Sequence, residues 1–537
     1  MNHCDSRLAD GAVTNAPWWK GAVIYQIYPR SFRDSNGDGI GDLAGITERL
    51  DHVAQLGCDG VWISPFFTSP MADFGYDVAD YCGVDPIFGT LEDFDALVSR
   101  AHALGLKVLI DQVYSHSSDA HAWFEESRQS RDNPKADWYV WADPKPDGSP
   151  PNNWQSVFGG PSWTWDARRG QYYFHNFLKE QPDLNVHNPD VQDALLKVAE
   201  FWLERGVDGF RLDALNFAMH DRELTDNPPV ENPLNPTRSF DFQHHIHNQS
   251  QPELIGFLER IRDLVDRHEG VYTMAEVGGE QAGREMKDFT RGNERLHSAY
   301  GFDYLYAKEL TPDVVRDAVR SWSGGSDEGW PSWAFSNHDA PRFASRWWDG
   351  DAREPMTKVA LLLLMSLRGN AILYQGEELG LPHAEVPFEY LQDPEAIANW
   401  PLTLGRDGAR TPMVWDGGED AGFGSTESWL PVCPDQRVLH VEGQREDPDS
   451  FLNWTRQAIA LRHEHPALRL GEITLLADSG ELLAFERVVE GQRLHCLFNL
   501  SDRAIPRGRF TGGRSLIEIG GVEADTMPPH SAIILEI

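Results

Sequence analysis

The stretch Gly209-Phe210-Arg211-Leu212-Asp213-Ala214 determines how the rest of the chain is interpreted. Side chains of an extended strand alternate between two faces, so Arg211 and Asp213 share one face. Phe210 and Leu212 then point to the opposite face. An arginine beside a carboxylate favours its ionised form, which a nucleophile needs. A buried ion pair without chemistry would give the same pattern, so the stretch alone leaves both interpretations open.

Composition predicts a large folded protein whose partners are neither nucleic acids nor membranes. The chain has 537 residues, enough for roughly three domains. Its 84 acidic and 47 basic residues give a formal charge of −37, which disfavours polyanionic partners. The longest apolar run, 359–365, is too short to cross a bilayer. The five scattered cysteines lack metal-ligand or disulfide-framework spacing, and no signal-peptide pattern opens the chain, so we expect a cytoplasmic protein.

Short apolar runs alternate with amphipathic helical patterns along most of the chain. Strands are predicted near 23–29, 61–64, 107–111, 209–213, 271–277, 302–306, 333–339 and 371–374. Helices are predicted at 46–56, 91–104, 191–205, 252–267, 313–322, 355–367 and 451–463. About eight strand–helix units predict an α/β fold of the (β/α)8 TIM-barrel type. The alternative, a doubly wound open sheet, lacks a glycine-rich turn after the first strand.

Two segments interrupt or follow this alternation. Residues 116–183 are rich in Trp, Pro, Asn and Gly, which predicts an inserted loop-rich domain after the third strand. Alternating stretches at 482–488, 494–499 and 532–536 predict a C-terminal antiparallel β domain. The predicted domains are the barrel, the insertion and the C-terminal domain, with the boundaries 1–115 plus 184–470, 116–183, and 471–537 respectively.

Three acidic residues, Asp213, Glu276 and Asp339, end predicted strands. The carboxyl ends of barrel strands converge on one pocket. Repulsion among clustered carboxylates raises the pKa of at least one of them, which can then serve as a general acid. A second carboxylate, held ionised by Arg211, would complete the pair used in glycoside hydrolysis. Strand capping or metal binding by one of the three is the alternative.

Four stretches resemble the signature regions of glycoside hydrolase family 13, the α-amylase family: Asp111–His116, Gly209–Asp213, Glu276–Val277 and Phe335–Asp339. Residues 181–185 are similar to the stretch that marks the oligo-1,6-glucosidase/α-glucosidase branch, and 21–32, 369–380 and 405–413 fit that branch too. The resemblance runs from about residue 18 to residue 415 and covers the C-terminal domain only loosely.

The resemblance implies a retaining mechanism with Asp213 as nucleophile, Glu276 as acid/base and Asp339 as the carboxylate that stabilises the distorted sugar. It also implies that the non-reducing glucose is bound by a set of polar side chains: Asp73, Tyr76, His116, Arg211, His338 and Arg410. Charge-assisted hydrogen bonds and a stacking ring suit that task. Phe158 is a predicted pocket wall. Outside this context, the two histidines and Phe158 would be interpreted as ordinary core residues.

Residues 34–42 have the spacing of a calcium-binding loop. The candidate ligands occupy positions 1, 3, 5, 7 and 9 of the loop: Asp34, Asn36, Asp38, Ile40 through its carbonyl oxygen, and Asp42. Gly45 stands where an EF-hand has its bidentate glutamate, which disfavours a calcium sensor. The resemblance implies a structural Ca²⁺ or Mg²⁺ site far from the pocket, and a solvated turn is the alternative. No organic cofactor is expected.

Ala214 and the connection 216–251 bear on specificity. In related enzymes valine after the nucleophile accompanies α-1,6 preference, whereas alanine or threonine accompanies α-1,4 or similar linkages. A small side chain leaves room for a differently angled aglycone, although Ala214 could merely suit the strand. The connection is unusually long, and such loops are usually functional. We expect it to narrow the pocket mouth, which favours exo action on short substrates and glucosyl transfer to alcohols.

The sequence therefore predicts a retaining, exo-acting α-glucosidase for maltose-like and sucrose-like substrates, with transglucosylation and a monomeric or homodimeric state. A sucrose isomerase or a dedicated α-glucosyltransferase would keep the same carboxylates but shield the intermediate from water. A non-enzymatic barrel, like the ectodomain of amino-acid transporter heavy chains, is disfavoured because such proteins carry a membrane helix and have lost the catalytic carboxylates. Small α-glucosides are the expected partners.

Overall fold

Eight parallel strands form one sheet in the computed structural model, which describes residues 16–233, 236–322, 329–348, 350, 353–403, 405–425, 427–476 and 480–537. The strands are β1 (Val23–Ile27), β2 (Gly60–Ile63), β3 (Lys107–Val113), β4 (Gly209–Asp213), β5 (Tyr272–Glu276), β6 (Ser298–Tyr300), β7 (Ser332–Ala334) and β8 (Asn370–Tyr374). β1 pairs with both β2 and β8. A parallel bridge between Ala299 and Pro331 closes the sheet between β6 and β7. The predicted (β/α)8 barrel is confirmed.

A main helix follows each barrel strand: α1 (Leu43–Leu56), α2 (Leu91–Ala103), α3 (Pro189–Glu204), α4 (Leu254–Val265), α5 (Ala282–Thr290), α6 (Pro312–Ser321), α7 (Arg353–Ser366) and α8 (Phe451–Glu464). Local signals set their ends. Thr90 and Asp93 form a capping box at the start of α2, and α1 ends at Gly57, which adopts a left-handed conformation. Shorter helices occupy Ala122–Ser127, Phe343–Arg346, Pro394–Asn399, Pro434–Arg437, Val441–Glu446 and Pro466–Leu470.

The sixth strand lies earlier in the chain than the sequence pattern predicts. It spans only Ser298–Tyr300, whereas the predicted segment 302–306 is a turn. The apolar residues of that turn misled the prediction, because Tyr304 and Leu305 are buried through tertiary packing and not through strand pairing. A three-residue strand is too short to show an alternating pattern.

The insertion and the C-terminal region each build an antiparallel sheet. In the insertion, Gln171–Phe174 pairs with Trp141–Ala142 and with Trp163–Asp166, and an antiparallel bridge from His116 to Asp183 joins the ends of the insertion. The C-terminal sheet contains five strands, in the order Glu472–Leu475, Leu482–Val489, Gln492–Asn499, Ser531–Glu536 and Arg514–Ile519. Two further short pairs are Phe67–Thr68 with Asp80–Val84 and Ile505–Pro506 with Thr526–Met527. The predicted C-terminal antiparallel β domain is confirmed, whereas the three-stranded sheet of the insertion was not predicted, because its strands are only two to four residues long.

Strand β4 has the two-faced character that its sequence predicts. Phe210 and Leu212 belong to the large core between the strands and the helices. Arg211 lies inside the barrel, where its guanidinium sits 4.9 Å from the centroid of the Trp62 ring. Among the helices that the structure describes, none combines the length and the hydrophobicity needed to cross a membrane.

Candidate active site

A cavity of about 890 Å³ opens at the carboxyl ends of the barrel strands, and Asp213, Glu276 and Asp339 all line it. Asp213 is the last residue of β4 and Glu276 the last of β5, which is the neighbouring strand. Asp339 lies in the segment after β7. The structure therefore brings together the three carboxylates that the sequence places at separate strand ends.

The fully buried Arg211 binds three carboxylates with one guanidinium. Its Nη1 lies 2.5 Å from Asp213 Oδ1 and 2.6 Å from Asp111 Oδ1, and its Nη2 lies 2.6 Å from Glu276 Oε2. The Tyr300 hydroxyl donates to Glu276 Oε1 at 3.1 Å and accepts from Arg211 Nε, also at 3.1 Å. Because one planar group serves all these contacts, Asp213 and Glu276 are held side by side on one cavity wall.

This cluster carries more negative than positive charge. Burial, followed by the charges of Glu276 and Asp111, raises the pKa of Asp213, while Arg211 opposes that rise. Burial likewise raises the pKa of Asp111 to about 6 against the effect of Arg211. The prediction that Arg211 keeps Asp213 ionised therefore describes one of two opposing effects. Three buried carboxylates around one cation favour retention of a proton within the group.

Asp339 has a different electrostatic environment. Its Oδ1 lies 2.6 Å from Arg410 Nη2 and 3.4 Å from Arg406 Nη1, and its Oδ2 lies 3.2 Å from His338 Nε2. Burial lowers the pKa of His338 to about 3, so its ring is neutral near pH 7. Although burial acts to raise it, the pKa of Asp339 is held well below its usual value, and we attribute this to the two arginines. Asp339 is accordingly ionised.

Arg406 lines the cavity and joins several side chains there. Its Nη2 lies 2.8 Å from Asp73 Oδ1 and 2.8 Å from Asp393 Oδ1, while Nη1 approaches Asp339. The guanidinium carbon lies 5.2 Å from the centroid of the Phe158 ring, within cation–π distance. Side chains from the β2, β7 and β8 connections thus meet at one cation in the cavity wall.

The predicted substrate-binding residues form two layers. Asp73, Tyr76, His116, Phe158 and Ala214 line the cavity. The other three lie behind the cavity wall: Arg211, His338 and Arg410, each at most 1% exposed. Each of these three contacts a residue that lines the cavity: Arg211 contacts Asp213, His338 contacts Tyr76, and Arg410 contacts Asp339.

His338 illustrates how the second layer orients the first. Gln26 Nε2 donates to His338 Nδ1 at 2.8 Å, which leaves the ring proton on Nε2. That nitrogen faces the Tyr76 hydroxyl at 2.6 Å, and the Tyr76 and His338 rings stack with an interplanar angle of 5°. His116 is also buried, and burial lowers its pKa to about 3. Both histidines therefore act as neutral hydrogen-bonding groups.

Sequence reasoning missed four side chains at the site: Arg406, Gln181, Asp111 and Tyr300. The first three stand in stretches already quoted for the family resemblance, so a signal existed. Gln181 Nε2, for example, donates to Asp73 Oδ2 at 3.3 Å. Tyr300 ends the strand that the sequence pattern misplaced, and no motif marks it.

The long connection after β4 forms part of the cavity wall, through Phe217, Val230, Phe240 and Ile246. Its described parts, 216–233 and 236–251, contain two short 3-10 turns. A buried chain of amides joins it to the insertion, from Asp183 through Asn176 and Asn248 to Asn227, with successive distances of 2.6, 2.8 and 2.8 Å.

An ion pair of 2.8 Å between Arg238 Nη1 and Glu395 Oε1 joins the same connection to the segment after β8. Both of these side chains line the cavity. The connection is therefore attached on two sides, to the insertion and to the segment after β8.

The candidate metal loop is ordered mainly by its own backbone. Asp34 accepts hydrogen bonds from the amides of residues 36, 37 and 39, at 3.1, 2.6 and 2.9 Å, and Asp42 caps α1 through the amide of Gly45. Asn36 and Asp38 accept from the amides of residues 38 and 40. Across the described residues, no group of three or more His, Cys, Asp or Glu side chains is arranged to hold a metal ion. The oxygen types suit a hard cation, and metal binding stays a prediction.

Two acidic side chains on adjacent strand ends of a (β/α)8 barrel, lining one cavity, are the arrangement that a glycoside hydrolase requires. The family model described as "Alpha amylase, catalytic domain" matches residues 26–471. The chain belongs to the α-amylase family. Residues 468–534 match a second family model, described as a domain of unknown function.

Several related proteins match nearly the whole length of this chain. A probable alpha-glucosidase of Rhizobium meliloti is 53% identical over 518 residues, covering 94% of this chain and 92% of the relative. An oligo-1,6-glucosidase of Heyndrickxia coagulans is 37% identical, covering 91% and 93%. The crystal structure of the alpha-glucosyl transfer enzyme XgtA superposes with a TM-score of 0.93 at 48% identity, covering 97% and 100%. The isomaltulose synthase of Erwinia rhapontici gives a TM-score of 0.88 at 30% identity, covering 97% and 99%.

Proposed function

We propose that the chain is a retaining, exo-acting α-glucosidase that removes the non-reducing terminal glucose from short α-glucosides, both maltose-like and sucrose-like. One observation carries the proposal. Asp213 and Glu276 are bound to the same guanidinium of Arg211 and line the same cavity. A nucleophile and a proton donor placed side by side are the apparatus of a double displacement.

The reaction then proceeds in two steps. Asp213 attacks the anomeric carbon while Glu276 protonates the departing glycosidic oxygen, which gives a covalent β-glucosyl ester and a free aglycone. Glu276, now ionised, removes a proton from water, and the water attacks the same carbon and releases Asp213. Two inversions give net retention. When an alcohol replaces the water, the product is a new α-glucoside, which accounts for the expected transglucosylation.

The part of the cavity wall around Arg406 supports exo action. The ionised Asp339 and the neighbouring Asp73 present carboxyl oxygens that can accept hydrogen bonds from sugar hydroxyls. Arg406 joins these two carboxylates and stands where a further sugar on the non-reducing side would have to pass. The terminal glucose therefore fits with its hydroxyls at Asp73 and Asp339 and its linkage at Glu276.

We assign the aglycone to the apolar part of the cavity wall. Phe217, Phe240 and Ile246 of the long connection line the cavity together with Phe302 and Tyr306. Such a wall excludes water better than a polar one, which favours transfer as a side reaction. The same exclusion of water would suit a second function, that of a sucrose isomerase or dedicated α-glucosyltransferase. We prefer hydrolysis because two of the closely related proteins are named glucosidases; an isomerase would release little free glucose from sucrose.

Three accompanying features belong to the same proposal. The small Ala214 side chain supports α-1,4 and similar linkages over α-1,6. The loop 34–42 holds a structural Ca²⁺ or Mg²⁺ through Asp34, Asn36, Asp38, Ile40 and Asp42, and this ion takes no part in the reaction. The protein works in the cytoplasm as a monomer or homodimer on small α-glucosides.

The test is a panel of glucose disaccharides assayed with the wild type, Asp213→Asn and Glu276→Gln. We expect both variants to fold and to lose about 10⁴-fold or more in kcat. The control is Asp166→Asn, which neutralises a buried carboxylate of the insertion, paired with Arg128 at 2.6 Å, and should keep wild-type activity. Proton NMR should detect α-glucose before its β anomer. Near-normal turnover by Asp213→Asn, or β-glucose as first product, would refute the proposal.

A further inference from the structure

The nucleophile strand ends in a short turn that also touches the acid/base strand. Ala214 adopts a left-handed conformation, with φ 39°, and residues Leu215–Phe217 form a single 3-10 turn. Asn216 lies in this turn, is fully buried, and is not among the residues that line the cavity. The proposed mechanism uses none of its atoms.

Two contacts run from this turn to the acid/base segment. The backbone amide of Ala214 donates to Glu276 Oε2 at 3.1 Å. Asn216 Nδ2 donates to the carbonyl oxygen of Gly278 at 2.9 Å. One contact holds the side chain of Glu276, and the other holds the main chain two residues beyond it. The nucleophile strand thus fixes its partner at two points.

The main chain at Gly278 has little room to move. A Cβ atom built on Gly278 would lie 2.5 Å from the ring of Phe302, so the backbone packs directly against that ring. Asn216 is held in turn by Ser250, whose amide donates to the Asn216 carbonyl at 2.7 Å and whose Oγ lies 3.3 Å from Nδ2. Both partners of this contact are therefore held in place: Phe302 packs against Gly278, and Ser250 binds Asn216.

The remaining atom of the amide argues against a purely structural role. Within the part of the chain that the structure describes, the buried Asn216 Oδ1 has no hydrogen-bond partner, although the Asn216 side chain also interacts with the Glu285 carboxyl group. An unpaired buried acceptor costs stability, and a well-packed apolar side chain would avoid that cost. The presence of an amide at this position therefore indicates that its donor, Nδ2, is needed for the bond to Gly278.

We propose that Asn216 is a positioning residue that sets the placement of the acid/base Glu276 relative to the nucleophile Asp213. The inference rests on the proposed glucosidase function and adds a residue to it. Misplacement of a reacting group by about 1 Å can cost on the order of a hundredfold in rate. The loss should appear only where the leaving group needs a proton from Glu276.

Two substrates distinguish a loss of proton donation by Glu276 from a general loss of activity. Maltose releases a sugar alkoxide, which requires protonation, whereas α-glucosyl fluoride releases fluoride, which does not. Because kcat/KM reports events up to the first irreversible step, it isolates glycosylation for both substrates. We expect Asn216→Ala to lower kcat/KM for maltose by about tenfold to a hundredfold and that for α-glucosyl fluoride by less than about threefold.

One further variant serves as a control. Asn499→Ala deletes a buried amide that donates to three carbonyl groups in the C-terminal domain, far from the cavity, and should leave the ratio of the two kcat/KM values near that of the wild type.

Equal losses on both substrates in Asn216→Ala, or no loss on either, would overturn the inference. A ratio that shifts as much in Asn499→Ala would do so as well. If the wild type cleaves neither substrate, or cleaves them without Asp213, the glucosidase proposal itself fails, and that outcome is distinct from a failure of the role of Asn216.

Discussion

Asp111→Asn should shift the acid limb of the pH–rate profile to lower pH. Attack on the sugar requires ionised Asp213. Burial, then Glu276 and then Asp111 raise the pKa of Asp213, and Arg211 opposes them. Asparagine has nearly the same shape as aspartate but stays neutral at every pH. Its introduction removes one contribution that raises the pKa of Asp213, so the nucleophile ionises at lower pH.

The structure bounds the size of the shift. Asp111 and Asp213 contact the same Nη1 of Arg211 at 2.6 and 2.5 Å, so these oxygens are at most about 5 Å apart. At that separation and an effective dielectric constant of about 20, two unit charges interact by about 3 kcal/mol, which corresponds to about two pKa units. Because the pKa of Asp111 is itself raised to about 6 by burial, the residue is only partly charged on the acid limb. We expect a shift of about one unit.

The assay is kcat/KM for a chromogenic α-glucoside measured across the acid range, with the thermal midpoint monitored at each pH. The matched control is again Asp166→Asn, which neutralises a carboxylate in another largely buried Arg–Asp pair, away from the cavity. Its profile should coincide with that of the wild type. An acid limb that stays in place in Asp111→Asn, or that moves to higher pH, would show that the charge of Asp111 does not control the nucleophile.

Two other predictions concern the cavity mouth and the loop 34–42. Asn248→Ala breaks the amide chain to Asn176 and Asn227, so the long connection should loosen and kcat/KM for maltotetraose relative to maltose should rise several-fold; an unchanged ratio would contradict an anchoring role. EDTA should lower the thermal midpoint of the wild type by about 2–5 °C, since a bound ion stabilises only the folded loop. Asp38→Ala should abolish that sensitivity, and a wild-type midpoint indifferent to EDTA would count against a metal.

Much of the fold follows from local sequence because barrel strands and helices carry strong periodic patterns. The paired faces of β4 and the capping box of Thr90 are examples in which one or two residues decide the local structure. The sixth strand shows the limit. Residues 298–300 pair through their backbone, whereas the more apolar 302–306 pack as a turn. Pairing between distant segments leaves no trace in so short a pattern.

The sequence predicts which residues belong to the site, but it does not predict which of them line the cavity and which lie behind those. Arg406 and Arg410 stand four residues apart in one motif, and nothing in that spacing tells which one faces the cavity. The structure places Arg406 at the wall and Arg410 behind it. The charge on Asp213 could not be predicted from Arg211 alone either. It depends on Asp111, which reaches the same guanidinium from the neighbouring strand β3.

The ion pair between Arg238 and Glu395, together with the amide chain to the insertion, assembles the mouth from three segments far apart in the sequence. None of these segments supplies Asp213, Glu276 or Arg211. Mutations in the outer part of these segments, away from Asn216 and Ser250, can therefore alter which acceptor enters and how much water follows it while leaving Asp213, Glu276 and Arg211 in place. Hydrolases, transferases and isomerases could then diverge from one scaffold through changes at the rim.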